Sequence, residues 1–125
     1  MDLLRHDCDG VATLTLNRPA QRNALSVGLM VALEAAIAAI GDDRAIHVVI
    51  IAGSGPAFCA GHDLREIRAN PDRNAYDVLF AQCGRLMQAI VQLPKPVIAQ
   101  IHGVAYWQVQ LNFEKLYPKL WIGDH

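Results

Sequence analysis

The sequence contains no long hydrophobic run, no excess of charge of either sign and no regular pattern of cysteines. Its apolar runs are all far shorter than the roughly 20 residues of a membrane-spanning helix, so we expect no membrane partner. A formal net charge of -1 provides no field that would attract nucleic acid. Acidic residues near the start, where a targeting peptide would be basic, predict a cytoplasmic protein, with the mitochondrial matrix as the alternative.

The three cysteines, Cys8, Cys59 and Cys83, are an odd number at unrelated spacings. This pattern indicates neither a disulfide framework nor a metal site, and we expect free thiols in a reducing compartment. No metal is predicted. The chain has 125 residues, of which 53% are hydrophobic and 18% charged, and this composition is typical of a single globular domain.

Four short segments have the pattern of strands. The segments Leu3–Cys8 and Val11–Leu16 flank a turn at Gly10, and the second alternates at period two, which predicts a hairpin. Residues 46–51 and Val97–Ile101 are apolar runs rich in β-branched residues, typical of strands that are buried on both faces. A parallel sheet covered by helices is therefore predicted.

Three helices are predicted between these strands. The first follows Ser26 as its N-cap, buries one apolar face and ends at Gly41. A short helix is predicted over residues 63–69. A longer one has its apolar face over residues 76–91 and is ended by Pro94 and Pro96. The order β-β-α-β-α-α-β predicts an α/β domain with right-handed crossovers.

Residues 53–65 form a glycine-rich loop that enters the short helix. Free amide hydrogens at such a place favour an anion or a developing oxyanion. The alternative is a tight strand-to-helix connection with Asp63 as its N-cap, and the pattern alone leaves both open. Nucleotide-binding loops are excluded because Phe58 stands where the third glycine of a dinucleotide motif belongs, and no Gly-Lys-Ser/Thr follows.

Histidines are the other candidates for acid-base chemistry. His62 and Asp63 are adjacent, but neighbouring residues that enter a helix point apart, so we do not expect a catalytic pair. His47 lies in a predicted strand and His102 at a strand end, and both are interpreted as structural histidines with satisfied ring nitrogens.

Four segments of the chain resemble successive markers of the enoyl-CoA hydratase/isomerase (crotonase) superfamily: residues 17–25, 46–52, 58–64 and 94–103. The resemblance covers about residues 3–105 and is closest to an enoyl-CoA hydratase domain-containing subgroup. It implies a spiral of ββα turns, incomplete here because only the first half is present. It also implies a homotrimer or hexamer, and a family chemistry in which two backbone amides stabilise the enolate of an acyl-CoA thioester during 2-enoyl-CoA hydration or isomerisation.

The resemblance also implies a site. The first oxyanion donor is the backbone N–H of His62, so replacement of its side chain should be mild. Arg65 is expected to approach the CoA phosphates, since a guanidinium binds phosphate oxygens with paired hydrogen bonds. No cofactor is expected beyond the coenzyme A of the substrate. The full set of substrate-binding residues implied is Asn23, Ala24, Leu25, Ala60, Gly61, Asp63, Leu64 and Arg65.

The resemblance stops after Ala105. Residues 106–125 contain both tryptophans but none of the eighteen alanines or eight arginines, so we divide the chain into a family-like part, 1–105, and a divergent tail, 106–125. Gln108 stands where the second donor glycine is expected, and Leu111 where many hydratases have a glutamate. Three interpretations stay open: an enzyme, a module that binds CoA thioesters without turnover, and a truncated fragment without activity.

Overall fold

The computed structural model describes residues 1–69, 72–102, 104–105 and 120–124. The chain opens with an antiparallel hairpin of β1 (Leu3–Cys8) and β2 (Val11–Leu16). Its two turn residues, Asp9 and Gly10, have φ angles of 51° and 80°. Positive φ at both central positions is the signature of the tight turn that suits strand twist, and Asp-Gly is a preferred sequence for it. The predicted hairpin is confirmed.

Three α-helices follow, namely α1 (Val27–Gly41), α2 (Leu64–Ala69) and α3 (Arg73–Gln92). The predicted cap of α1 is present, because the Ser26 side chain accepts a hydrogen bond from the Leu29 N–H at 3.0 Å. A short 3-10 helix (Pro19–Gln21) lies inside the predicted polar loop. None of the helices in the described ranges is long and apolar enough to cross a bilayer.

The main sheet has five strands in the order β1-β2-β3-β5-β7, where β3 is Val48–Gly53, β5 is Val97–Ile101 and β7 is Leu120–Asp124. All neighbours except β1 and β2 are parallel. Two short strands, β4 (Ala57–Cys59) and β6 (Val104–Ala105), pair separately. The α/β class with a parallel sheet is confirmed, and β4, β6 and β7 are additions to the predicted set.

The strand predicted at residues 46–51 is displaced by two residues. Gly10 O accepts from the N–H groups of both His47 and Val48, at 2.7 and 3.2 Å, and the ladder with β2 begins only at Val48. At its other end, Gly53 pairs with Leu16 instead of starting a loop. The interpretation of His47 as a strand residue is therefore wrong, and its side chain is exposed. His102 is satisfied as predicted, since its Nε2 lies 2.7 Å from Gly55 O.

The core lies between the sheet and the helices. Helix α1 packs against α3 and against the hairpin strands. A buried glutamine joins the two helices, because Gln82 Nε2 donates to Glu34 Oε2 at 2.6 Å. The largest fully buried side chains are Phe58, Leu14, Leu16, Leu29, Met30, Ile37, Ile40, Ile51, Leu86, Ile90 and Val49. The expectations for Gln108 and Leu111 fall outside the described residues, and the division at 105 and 106 stays a prediction.

Candidate functional site

Two loops meet beyond the carboxyl ends of the parallel strands, where open α/β sheets place their ligands. One follows β2, and the other runs from β4 into α2. They are joined by a parallel bridge between Leu25 and His62. In this bridge the Leu25 N–H donates to Gly61 O at 2.7 Å, and the Asp63 N–H donates to Leu25 O at 3.0 Å. The peptides on both sides of His62 are thus held by one residue of the other loop.

A pocket of ≈ 480 Å³ opens between these loops. Its walls are formed by Ala20, Gln21, Arg22, Ala24, Ala60, His62, Asp63, Leu64 and Arg65. Of the nine predicted site residues, six line it, whereas Asn23, Leu25 and Gly61 do not. Arg22 and Arg65 are exposed, so two guanidinium groups are available to an anionic ligand.

Asn23 supports the pocket from behind. Its side chain is fully buried, and its backbone has a φ of 55°. Asn23 Oδ1 accepts from the Arg18 N–H, and Nδ2 donates to the carbonyl oxygens of Ser54 and Ala57, all at 2.8 Å. Every polar atom of this side chain is thus already used, and the side chain holds the loop; that the loop at Asn23 binds the ligand stays a prediction.

The amide of His62 is the most informative group of the site. Gly61 has a φ of 91°, which is accessible to glycine and turns the chain sharply before His62. Because the bridge uses the Gly61 carbonyl and the Asp63 N–H, the His62 N–H points away from Leu25. It has no hydrogen-bond partner among the described residues. A backbone amide in this state, on a residue that lines the pocket, can donate to a ligand oxygen.

Arg18 is a site residue that sequence reasoning missed. Its guanidinium is only 14% exposed and donates to the carboxylate of Asp63, with Nη2 3.0 Å from Oδ2. Through Nη1 it also donates to the carbonyl oxygen of Ala24. Asp2 lies at the edge of this ion pair, 3.9 Å from Arg18 Nε. The motif at residues 17–25 is recognisable in the sequence, but nothing in it indicates a partner 45 positions away.

Asp63 has the capping role that the structural alternative predicted. Its Oδ1 accepts from the N–H groups of Arg65 and Glu66, at 3.1 and 3.3 Å. Burial alone would raise the pKa of the Asp63 carboxyl. The hydrogen bond from Arg18, the bonds from the helix amides and the charge of Arg18 outweigh it, so the pKa is lowered. This carboxylate is ionised at neutral pH and is a poor proton carrier.

The imidazole of His62 packs edge-on against Phe80 of α3, with ring centroids 5.9 Å apart and an angle of 87°. Its Nδ1 is buried and has no hydrogen-bond partner in the described part of the chain. Burial lowers the pKa of this histidine, so the ring is neutral at pH 7. The Asp63 carboxylate is bonded to Arg18 and to two amides, and His62 is not among its partners.

Two other chemistries have little support in this part of the chain. Burial raises the pKa of the Cys59 thiol to about 11, although a bond from the Gly61 backbone opposes the shift. A thiol with such a pKa is not a nucleophile at neutral pH. Within the described ranges, no three metal-binding side chains form a cluster.

Most of the chain matches a known family in sequence. The profile described as enoyl-CoA hydratase/isomerase matches residues 7–106. The chain belongs to the enoyl-CoA hydratase/isomerase family. Enoyl-CoA hydratase domain-containing protein 3, mitochondrial, of Danio rerio is 40% identical over 96 residues, which are 77% of this chain and 33% of that protein. The 1,2-epoxyphenylacetyl-CoA isomerase of Escherichia coli (strain K12) is 34% identical over 106 residues, 82% of this chain and 40% of that protein.

Solved structures of the enoyl-CoA hydratase/isomerase family match the fold. The crystal structure of an enoyl-CoA hydratase of Mycobacterium smegmatis has a TM-score of 0.81 and 51% identity, and the match covers 84% of this chain and 41% of that one. The resemblance and the crotonase-like α/β fold are confirmed. The chain spans between a third and about two fifths of the relatives it matches, so it holds a part of that fold.

Proposed function

We propose that the pocket binds an acyl-CoA thioester and that the His62 N–H donates a hydrogen bond to the thioester carbonyl oxygen. The observation that carries this proposal is the amide of His62, a residue that lines the pocket: it has no partner among the described residues and is fixed on both sides by the bridge to Leu25. A fixed donor of this kind stabilises the negative charge that develops on the carbonyl oxygen when an enolate forms.

The charged groups around the pocket suit the other end of such a ligand. Arg22 and Arg65 are exposed at its walls, and a guanidinium group pairs well with phosphate oxygens. Ala24, Ala60 and Leu64 also line the pocket and provide apolar surface. The pocket therefore offers an amide donor for the carbonyl, guanidinium groups for phosphates and an apolar wall. These are the features that an acyl-CoA requires.

Turnover requires more than this donor. The family chemistry, hydration or isomerisation of a 2-enoyl-CoA, needs a positioned acid or base. By the resemblance, Leu111 stands where many hydratases carry a glutamate, and a leucine cannot transfer a proton. This substitution favours the second candidate, a chain that binds CoA thioesters without catalysing their reaction. The homotrimer or hexamer and the cytoplasmic location stay predictions.

Two substitutions at one position test the proposal. His62→Ala keeps the backbone N–H, and we expect the dissociation constant of acetyl-CoA to change by less than about threefold. His62→Pro removes the N–H, and we expect affinity to fall at least tenfold, about the effect of leaving a bound oxygen without its donor. Isothermal titration calorimetry measures both, with thermal unfolding as the check that each variant folds.

The same titrations separate the competing interpretations. Saturable binding with no conversion of crotonyl-CoA selects the binding module, whereas conversion selects the enzyme. A wild-type chain that unfolds without a cooperative transition selects the inactive fragment. Equal affinity of the wild type and a folded His62→Pro variant for acetyl-CoA would show that the His62 N–H does not bind the ligand.

A further inference from the structure

We propose that Arg18 is a positioning residue, which sets the direction of the His62 N–H toward the ligand carbonyl; this inference rests on the proposed function. Arg18 does not line the pocket. It binds one group from each of the two loops that do, namely the carbonyl oxygen of Ala24 and the carboxylate of Asp63.

The two groups that Arg18 binds lie on either side of the bridge between the loops. Ala24 is the residue before Leu25, and Asp63 is the residue after His62. The bridge between Leu25 and His62 therefore has an Arg18 contact on each side of it. A planar guanidinium with donors in a fixed fork holds two acceptors at a set separation, which a flexible ammonium group does not do.

The ion pair between Arg18 and Asp63 couples the position of Arg18 to that of the loop that carries His62. Its two side chains are only 14% and 12% exposed, so solvent screens the attraction poorly. Asp63 cannot move without disturbing α2, because its other oxygen caps that helix. Any shift of Arg18 is thus passed to the peptide that carries the donor, and small displacements of a donor have large effects on a polarised carbonyl.

The test compares Arg18→Lys and Arg18→Gln with the wild type, using acetyl-CoA labelled with carbon-13 at the thioester carbonyl. The first readout is the infrared carbonyl band of the bound ligand at saturation. In the wild type we expect it at lower frequency than in free acetyl-CoA. In both variants we expect a smaller shift, with Gln closer to the free ligand, and a dissociation constant raised by about tenfold.

Arg5→Gln is the matched control. Arg5 also forms an ion pair, with Asp7 at 2.9 Å and Asp43 at 3.3 Å, but Asp43 precedes β3 and so lies at the opposite ends of the parallel strands. Its loss should leave the carbonyl band unchanged, even where it lowers the melting temperature. If Arg18→Gln does not fold, Arg18→Lys and Asp63→Asn carry the comparison, because each removes one anchor and keeps most of the packing.

The outcomes distinguish this inference from the proposed function. If the wild type does not bind acetyl-CoA, the proposed function and the positioning role of Arg18 are both wrong. If it binds and the band is shifted equally in wild type and Arg18 variants, the positioning role alone is wrong and Arg18 only stabilises the fold. A band shift that diminishes in the Arg18 variants and persists in Arg5→Gln supports the inference, because a purely stabilising residue would not change the bound ligand's spectrum at saturation.

Discussion

At the scale of single residues, burial acts in opposite ways on the two neighbours at the entrance of α2. Burial lowers the pKa of His62, and no charged group among the described residues offsets this effect. Burial would raise the pKa of Asp63, but the hydrogen bonds from Arg18 and the helix amides reverse its direction. At neutral pH the site thus presents a neutral ring beside an ionised carboxylate, and neither group is suited to exchange a proton with a ligand.

The Asp63 carboxylate makes stability depend on pH. Its folded-state pKa is lowered, so its contribution is present above its unfolded pKa of about 4 and is lost as pH falls through the folded-state value. Asp63→Asn keeps an oxygen for the helix cap but removes the charge. We expect it to lower the free energy of unfolding by about 3 kcal/mol at neutral pH. Urea unfolding should show this difference shrinking toward about pH 3.

The control for this prediction is Asp72→Asn, which changes the exposed cap of α3. Asp72 accepts from the Asn74 N–H at 3.2 Å, without an arginine among its hydrogen-bond partners in the described part of the chain. Its effect should stay small at every pH. If the loss of unfolding free energy in Asp63→Asn does not vary with pH, the variant destabilises the fold through altered packing and not through the loss of the carboxylate charge.

The resemblance implies six of the residues that line the pocket but not what holds the pocket together. His62, Asp63 and Arg65 follow from the resemblance of residues 58–64 and the position after them, whereas the glycine-rich loop alone leaves an anion site and a plain connection open. Arg18 is missed and the burial of the Asn23 side chain is not foreseen, because a polar side chain in a loop is normally exposed. Their burial depends on partners from Ser54 to Asp63, and such distant pairings leave no periodic signal.

At the scale of elements, the carboxyl end of β3 is shaped by a close backbone approach. A Cβ added to Gly53 would lie 2.6 Å from Phe58 O and 2.9 Å from Phe58 Cα. It would also meet Asn23 Nδ2 at 3.0 Å. Glycine is therefore needed for space, and the position joins β3, β4 and the loop behind the pocket.

Two glycine substitutions should have effects of opposite sign. We expect Gly53→Ala to lower the free energy of unfolding by about 2 kcal/mol, because backbone and Asn23 must shift. Gly84→Ala should raise it by roughly 0.5–1 kcal/mol, since no described atom outside the adjoining helix backbone lies within 4 Å of the added Cβ, and alanine favours the helix. Urea denaturation of both variants measures this. If Gly53→Ala leaves the free energy of unfolding unchanged, then β3, β4 and the loop behind the pocket can move apart without cost.

The same glycine explains why the strand is predicted in the wrong place. Ala52 and Gly53 come just before Ser-Gly-Pro, and together they have the composition of a loop. The pairing of Gly53 with Leu16 keeps the strand going, and a short strand that includes Phe58 follows. Both depend on contacts with other elements, whereas helices α1 and α3 follow from their own periodicity and caps and are predicted well.

At the scale of the whole molecule, the sheet is built mostly from distant parts of the chain. Val11 pairs with Val48, and Val49 with Val97. The parallel class could be inferred because buried β-branched runs alternate with helices. The edge strand β7 could not, because its sequence, Leu-Trp-Ile-Gly-Asp, lies beyond the resemblance and has no alternation that indicates a partner.

One feature of the pocket bears on the chemistry of thioesters as acylating agents. The cations at its walls, Arg22 and Arg65, are both arginines, and so is Arg18 behind them. Among the described residues the single lysine is Lys95, whose Nζ is bonded to Asp43 O at 2.7 Å, near the amino ends of the strands. A protonated guanidinium does not attack a thioester, whereas a lysine amine is a usual target of acetylation.

The replacement Arg65→Lys should reveal this difference. It keeps a positive charge for phosphates, but we expect slow acetylation of the new amine during incubation with acetyl-CoA. Peptide mass spectrometry locates the modification, with Lys95 as the internal reference. If the peptide that contains the Arg65→Lys substitution stays unmodified at saturating ligand, the expectation is contradicted. If the pocket binds acyl-CoA as proposed, its guanidinium groups let it contact a reactive acyl donor through many binding events without being chemically altered.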